Sequence, residues 1–415
     1  MLLRFVKQFP TIIQFIMQFI SRQEKAFKVN MVRAGLQNFA EELTLQYQPV
    51  YISALGATAS QLGIVSSIRG FSTAITAMVV GWLADKHGLK VVFEVATLLM
   101  TMGALLFALA QSWVMAIPAL LVASLGLSIS RTACPVVCGS CLRDEERATG
   151  RGLCDTLTLL PRLVSPTTAA ILITVFGGLN RSGIRPLYYI QALILVAIFV
   201  LVFRAFMEPA SRRILRANLG FIESIREVFA KGIAMKRWVV FDCASKIPYY
   251  VATTVYVPLF AARVKGADQF TLGAMATGLA VTPLLFSLPM GRLADMVGRK
   301  KVIYLTTSIY CSSLLLLVYA PNPTILIISA ILQGFSEVAS VIRGAMTAEL
   351  VPPSLLGSTY GILGLFRGIV SLIAPLIGGV LWDTTGPEYV FFFVIATQLL
   401  NMLLLSTIPE TLKRA

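Results

Sequence analysis

The sequence predicts an all-α membrane protein: twelve transmembrane helices in two pseudo-symmetric six-helix halves, with both termini in the cytoplasm. Three observations carry this. Of 415 residues, 57% are hydrophobic and only 13% charged, with a mean hydropathy of +0.80; a soluble domain carries about a quarter charged residues. Apolar runs near 20 residues, the length that crosses a bilayer, recur along the whole chain. The second half repeats landmarks of the first at an offset close to 210, as in Gly81 and Gly291.

This composition excludes a soluble globular protein, a disordered chain and a disulfide-stapled secreted scaffold. The net charge of +15 suggests nucleic acid at first sight. The placement of the charges argues for a membrane instead, and no nucleic-acid partner is expected. The six cysteines form no obvious extracellular pair and read as helix residues. No cleavable signal follows the apolar start.

The elements follow in chain order. Residues 1–27 carry a polar stripe (Arg4, Lys7, Thr11, Gln14, Gln18) opposite Phe5, Phe9, Ile12, Ile16 and Phe19. That is an amphipathic helix for the inner membrane surface. Six spans form an N-terminal bundle over 28–207, at about 28–54, 59–83, 91–110, 113–141, 150–178 and 187–207. A basic cytoplasmic linker occupies 208–236. Six more spans form the C-terminal bundle over 237–415, at about 237–262, 271–291, 302–320, 323–349, 357–382 and 388–408. With this division, 24 of the 35 Lys and Arg fall on the cytoplasmic side, counting Lys28, Arg151, Arg204 and Arg237 at the cytoplasmic ends of their spans, and 4 outside. That bias sets the orientation.

Duplicated halves are a mark of secondary transporters, whose substrate site lies where the repeats meet. The repeat is clearest at GWLADKHGLK (81–90) and GRLADMVGRK (291–300). Glycines permit a tight turn and close helix approach. An Asp at a helix end accepts backbone donors or pairs with a cation. Gly81, Asp85, Gly88, Lys90, Gly291, Asp295, Gly298, Arg299 and Lys300 are therefore candidate gating residues.

At these two loops the chain resembles the major facilitator superfamily, which carries G-x-L-A-D-x-x-G-R-K between helices 2 and 3 and a weaker copy between helices 8 and 9. Leu332-Gln333-Gly334, Pro375 with Gly378 and Gly379, and Pro409-Glu410-Thr411 extend the resemblance over about residues 28 to 411. It implies a rocking, alternating-access transporter whose helices 1, 4, 7 and 10 surround a central cavity. Two departures weaken the drug-exporter reading. Leu125 and Gly126 stand where exporters carry a QG pair, and Ser165-Pro166-Thr167-Thr168-Ala169-Ala170 replaces G-P-x-x-G-G.

Twelve ionisable residues lie five or more residues inside the ends of the predicted spans. Each costs about 2.5–3.5 kcal/mol at a lipid-facing centre, so most must line a wet cavity or pair within the bundle. Arg33, Gln37, Glu41, Thr44 and Gln48 form one stripe at helical spacing. Ser124, Ser128, Arg131 and Cys138 form another, Asp242, Lys246, Tyr249 and Thr253 a third, and Gln333 with Glu337 a fourth. Arg69, Arg131, Arg162, Lys246, Tyr249, Arg343 and Arg367 are the candidate substrate-binding residues, because a guanidinium stays charged and forks onto carboxylate or phosphate. Internal pairing, as in Asp242–Lys246 or Asp155–Arg162, is the structural alternative. Glu41, Glu42 and Glu337 are the candidate proton-coupling carboxylates: burial favours the protonated form and a nearby Arg the ionised one.

The expected protein is a monomeric transporter in a plasma or inner membrane, moving a small organic anion or zwitterion with protons and needing no cofactor. Proton-coupled drug efflux is the alternative, and a non-transporting membrane sensor is a third reading. No G-x-x-x-x-G-K-S/T loop occurs, so ATP is not the energy source within this chain. No metal site, catalytic constellation or enzymatic activity is expected. The cluster Cys134, Cys138, Cys141 and Cys154 reads as small residues packing between helices.

Overall fold

A computed structural model describes residues 18–141, 147–208, 233–350 and 356–410. Most of the amphipathic segment and of the linker therefore lie outside the described residues. So do the side chains around Gly81, Asp85, Cys138 and Asp155.

The described chain is helical. In order, the helices of the first half are α1 (Lys25–Leu45), α2 (Gln48–Ala54), α3 (Ala59–Leu109), α4 (Ala116–Cys141), α5 (Arg147–Val175) and α6 (Arg181–Ala205). The second half holds α7 (Ile233–Ala244), a π-helical stretch Tyr249–Tyr256, α8 (Val257–Arg263), α9 (Gln269–Val297), α10 (Arg299–Val318), α11 (Pro323–Gln333), α12 (Phe335–Leu350), α13 (Leu356–Thr384) and α14 (Pro387–Ser406). Among the described residues, nine helical stretches are long and apolar enough to cross a membrane. Three predicted spans miss that mark; the later part of 59–83 falls where side chains are not described, and the other two have visible reasons. The α1 segment carries Arg33, Glu41 and Glu42, and the 237–262 span is broken into three pieces.

The repeat survives in the backbone. Gly88 (φ 88°) turns the chain inside α3, and Gly298 (φ 110°) separates α9 from α10. Both angles suit glycine, which lacks the Cβ that forbids them. In each half an acid from the far end of that half covers this corner. Glu208 accepts from the Lys90 N–H at 2.7 Å. Glu410 accepts from the N–H groups of Arg299 and Lys300, both at 3.1 Å. An acid there satisfies helix N-terminal donors and complements the dipole.

Among the described residues the apolar core joins the two halves at one end only. There Tyr47, Tyr51, Phe107 and Tyr188 pack in one continuous cluster with Tyr256, Phe260, Tyr310 and Phe391. At the opposite end each half keeps its own core. One is built on Phe27, Phe93 and Val202, the other on Trp238, Ile303 and Leu405. Two helix pairs carry the joint. A Cβ on Gly63 or Gly70 of α3 would fall 2.5 Å from the Pro375 carbonyl or 2.7 Å from the Ser371 carbonyl carbon of α13. Likewise Gly273 of α9 faces the Pro166 carbonyl of α5 at 2.9 Å. Polar contacts reinforce this end: the Ser60 N–H donates to Asp383 at 2.8 Å, and Arg263 donates to the Ser53 carbonyl at 3.1 Å.

Candidate functional site

Beneath the joined end lies a cavity of about 400 Å³. The first half supplies most of its lining, and the second half contributes Tyr249, Tyr250, Thr254, Val255, Ser371 and Pro375. Among the described residues its charged groups are Arg69, Arg131, Arg162 and Glu41.

The α1 stripe builds one wall. Arg33 is 1% exposed and lies over the Phe93 ring at 4.2 Å. It donates to Asn30 at 2.9 and 3.1 Å, to Gln37 at 2.6 Å and to Ser130 at 2.7 Å. Gln37 passes the contact on, donating to Glu41 at 2.8 Å, and Glu41 pairs with Arg131 at 3.0 Å. The four-residue spacing of Arg33, Gln37 and Glu41 is what lets these side chains reach one another. The result is one line of polar contact from a buried cation to the cavity.

Arg162 grips Glu42 with its Nε at 2.7 Å and with a second guanidinium nitrogen. Arg69 donates to Gln48 at 2.8 Å. The opposite wall depends on the broken span. Pro258 cannot donate to the carbonyl of Thr254, and the chain widens into the π-helical stretch Tyr249–Tyr256. Such bulges are frequent at functional sites. This one brings Tyr249, Tyr250 and Thr254 to the cavity.

The second half holds a separate polar cluster that does not line this cavity. Arg367 forks onto Asp242 at 2.7 and 2.9 Å, and Asp242 is 1% exposed. Lys246 donates to Ser340 at 2.9 Å rather than pairing with Asp242. The Arg343 Nη2 lies 3.5 Å from the Ser336 carbonyl, and its Nε has no hydrogen-bond partner. Glu337 acts electrostatically on both Lys246 and Arg343.

Of the candidate binding residues, Arg69, Arg131, Arg162 and Tyr249 therefore meet at one cavity, while Lys246, Arg343 and Arg367 form the second cluster. Of the candidate carboxylates, Glu41 lines the cavity, Glu42 stands behind Arg162 and Glu337 lies in the second cluster. Among the candidate gating residues, Asp295 pairs with Arg299 at 3.1 Å, and Arg299 also holds Glu349 at 2.5 Å. A Cβ at Gly291 would meet nothing within 4 Å. The sequence reading missed Tyr188, Gln191 and Tyr250 in the lining. Gln191 carried a signal, as a lone amide in an apolar run; the tyrosines carried none. Among the described residues no group of His, Cys, Asp and Glu could hold a metal.

The family model of the Major Facilitator Superfamily matches residues 34–275 and 243–415. The chain belongs to that family and is a multi-pass secondary transporter, not an enzyme. It is 26% identical to "Multidrug resistance protein MdtG" of Salmonella arizonae over 391 residues, spanning 88% of this chain and 91% of that protein. In fold it is similar to a crystal structure of the nucleoside transporter NupG, with a TM-score of 0.74, 14% identity, and 94% and 100% of the two chains covered. A crystal structure of a D-xylose-proton symporter superposes with a TM-score of 0.71, 13% identity, and 93% and 98% covered.

Proposed function

We propose that this chain is a twelve-span, proton-coupled transporter of a small organic anion or zwitterion, working by alternating access in an inner or plasma membrane. The composition of the cavity carries the reading. Among the described residues three guanidiniums and one carboxylate line it, and Glu42 stands behind one of those arginines. With both acids ionised the group is net +1, and guanidiniums do not deprotonate. A solute bearing one carboxylate or phosphate balances it.

The Lys/Arg bias supports an orientation in which the joined end faces outside. The described conformation is then the inward-open state, with the cavity reached from the cytoplasm. Coupling follows from Glu41. Its partners are Arg131 and Gln37. A solute anion and Glu41 compete for Arg131, and a proton taken up by Glu41 would release that guanidinium to the solute. Anion and proton therefore bind cooperatively, which is symport.

A second reading is proton-coupled drug efflux, favoured by the similarity to MdtG and by the tyrosines and apolar side chains of the lining. A cationic drug competes with the proton, which is antiport. A thermal-shift panel on purified protein at pH 6 and pH 8 separates the two, because a ligand that binds only the folded state raises the melting temperature. Stabilisation by small carboxylates or phosphates, stronger at pH 6 and lost in Arg69→Gln and Arg131→Gln, is expected. Stabilisation by lipophilic cations alone supports efflux instead.

A further inference from the structure

Two tyrosines occupy the joint between the halves, one from each. The Tyr47 hydroxyl lies 3.4 Å from the Pro166 carbonyl in its own half and 2.9 Å from the Gln269 carbonyl in the other. The Tyr256 hydroxyl lies 2.9 Å from the Pro375 carbonyl in its own half and 3.2 Å from the Ala59 carbonyl in the other. The two arrangements are copies. Tyr256 follows Tyr47 by 209 residues, Pro375 follows Pro166 by 209, and Gln269 follows Ala59 by 210. Both rings are 0% exposed. Gln269 and Ala59 are the first residues of α9 and α3.

The glycines across the joint are copies too. A Cβ at Gly273 would sit 2.9 Å from the Pro166 carbonyl and 3.2 Å from the Tyr47 hydroxyl. A Cβ at Gly63 would sit 2.5 Å from the Pro375 carbonyl and 3.0 Å from the Tyr256 hydroxyl. Bare backbone at these two positions is what lets each hydroxyl reach over the joint.

A phenol has one proton to donate, and each of these hydroxyls faces two acceptors. One acceptor belongs to its own half and moves with it. The other belongs to the opposite half and leaves when the halves part. A buried hydroxyl stranded without an acceptor is costly, so a tyrosine with only a cross-joint partner would oppose parting. A tyrosine with only an own-half partner would add nothing to closure. The paired acceptors give two discrete, satisfied arrangements, which is what a gate needs.

We infer that Tyr47 and Tyr256 are a matched pair of gate residues: each donates across the joint while this end is closed, and falls back on its own half's proline carbonyl when it opens. This rests on the alternating-access reading above. Losing the hydroxyl removes one hydrogen bond from either state, but only the closed state seals the orphaned cross-joint carbonyl from water, whereas parting exposes it, so the closed state bears about one net hydrogen bond more of the loss. One net hydrogen bond shifts the closed-to-open ratio by about threefold to tenfold.

The test is double electron–electron resonance in lipid nanodiscs, with spin labels at Gln111→Cys and Tyr319→Cys on a chain whose native cysteines are replaced. These exposed positions lie on opposite halves at the joined end. Tyr47→Phe and Tyr256→Phe should each raise the long-distance population about threefold to tenfold against the short one, and the double variant should raise it further. Gly273→Ala is the second handle. The nearest atoms its Cβ would meet all belong to the first half, so it crowds only the closed state and should shift the ratio the same way. Unchanged distance populations overturn the inference, even if the variants melt at lower temperature, because a merely structural tyrosine lowers stability without moving the ratio. One and the same distance at pH 6 and pH 8, with and without the stabilising anion, and in every variant overturns alternating access itself, and the gate with it.

Discussion

The Arg367–Asp242 fork offers the sharpest energetic prediction. Asp242 is 1% exposed and Arg367 27%, and two hydrogen bonds of 2.7 and 2.9 Å join them. The pair ties α7 to α13, so it holds the second half together from within. Asp242→Asn keeps the shape and removes the charge, leaving a largely buried guanidinium beside Lys246 and Arg343. Breaking one side of a buried pair costs about 3–5 kcal/mol. Spread over a chain of this size, that lowers the melting temperature by roughly 3–6 °C. Arg367→Gln should cost a similar amount by stranding the carboxylate. The double variant removes both charges and should recover at least half of the loss of either single variant, since a pair replaced as a unit is often close to neutral. Thermal unfolding of the four proteins in one detergent closes the cycle. Additive losses in the double variant would refute the coupling assigned to this fork.

Three further outcomes follow from other positions. Glu41→Gln removes the one carboxylate among the described lining residues, so any preference of anionic-ligand stabilisation for pH 6 over pH 8 should shrink in the thermal-shift assay. Gly88→Ala and Gly298→Ala force a Cβ into positive-φ corners (φ 88° and 110°) and against Glu208 and Glu410, at 2.6 and 2.9 Å; each should cost about 1–3 kcal/mol, read as a lower melting temperature. Asp268 caps α9 by accepting from the Thr271 N–H at 2.8 Å, and hydrogen bonds from Thr271 hold its carboxyl below the usual range. A depressed folded value means this stabilisation is present above the unfolded pKa of about 3.9 and fades as pH falls through the lower folded value. Asp268→Ala should cost about 1 kcal/mol at neutral pH, and Asp268→Asn, which still caps, much less.

The sequence was most informative where spacing along one helix decides contact. Arg33, Gln37 and Glu41 stand four residues apart and are joined by hydrogen bonds, as the stripe implied. The repeat was legible because the same backbone corner needs a glycine twice, at Gly88 and Gly298. Partners far along the chain were not legible. Local spacing offered Lys246 to Asp242, but the chain turns at residues 245–246 before the π-helical stretch, and Arg367 takes the carboxylate from another helix. Glu208 reaches back 118 residues to Lys90, and nothing in its own neighbourhood announces that role. Arg162 finds Glu42 in the same way, across 120 residues. The lining tyrosines Tyr188 and Tyr250 sit in apolar runs where an aromatic residue reads as packing, and only the fold shows them facing a cavity. The resemblance put helix 10 at the cavity. Among the described lining residues, none comes from α11 or α12, and α5, α6 and α13 take part instead.

Uptake into proteoliposomes under an imposed pH gradient, without ATP, tests the central claim most directly. The solute would be the small anion that gives the largest thermal stabilisation. Accumulation driven by the inward proton gradient is expected, abolished by collapsing the gradient and reduced at least tenfold by Arg131→Gln. Uptake indifferent to the gradient, or transport confined to lipophilic cations and untouched by neutralising Arg69, Arg131 and Arg162, would contradict it.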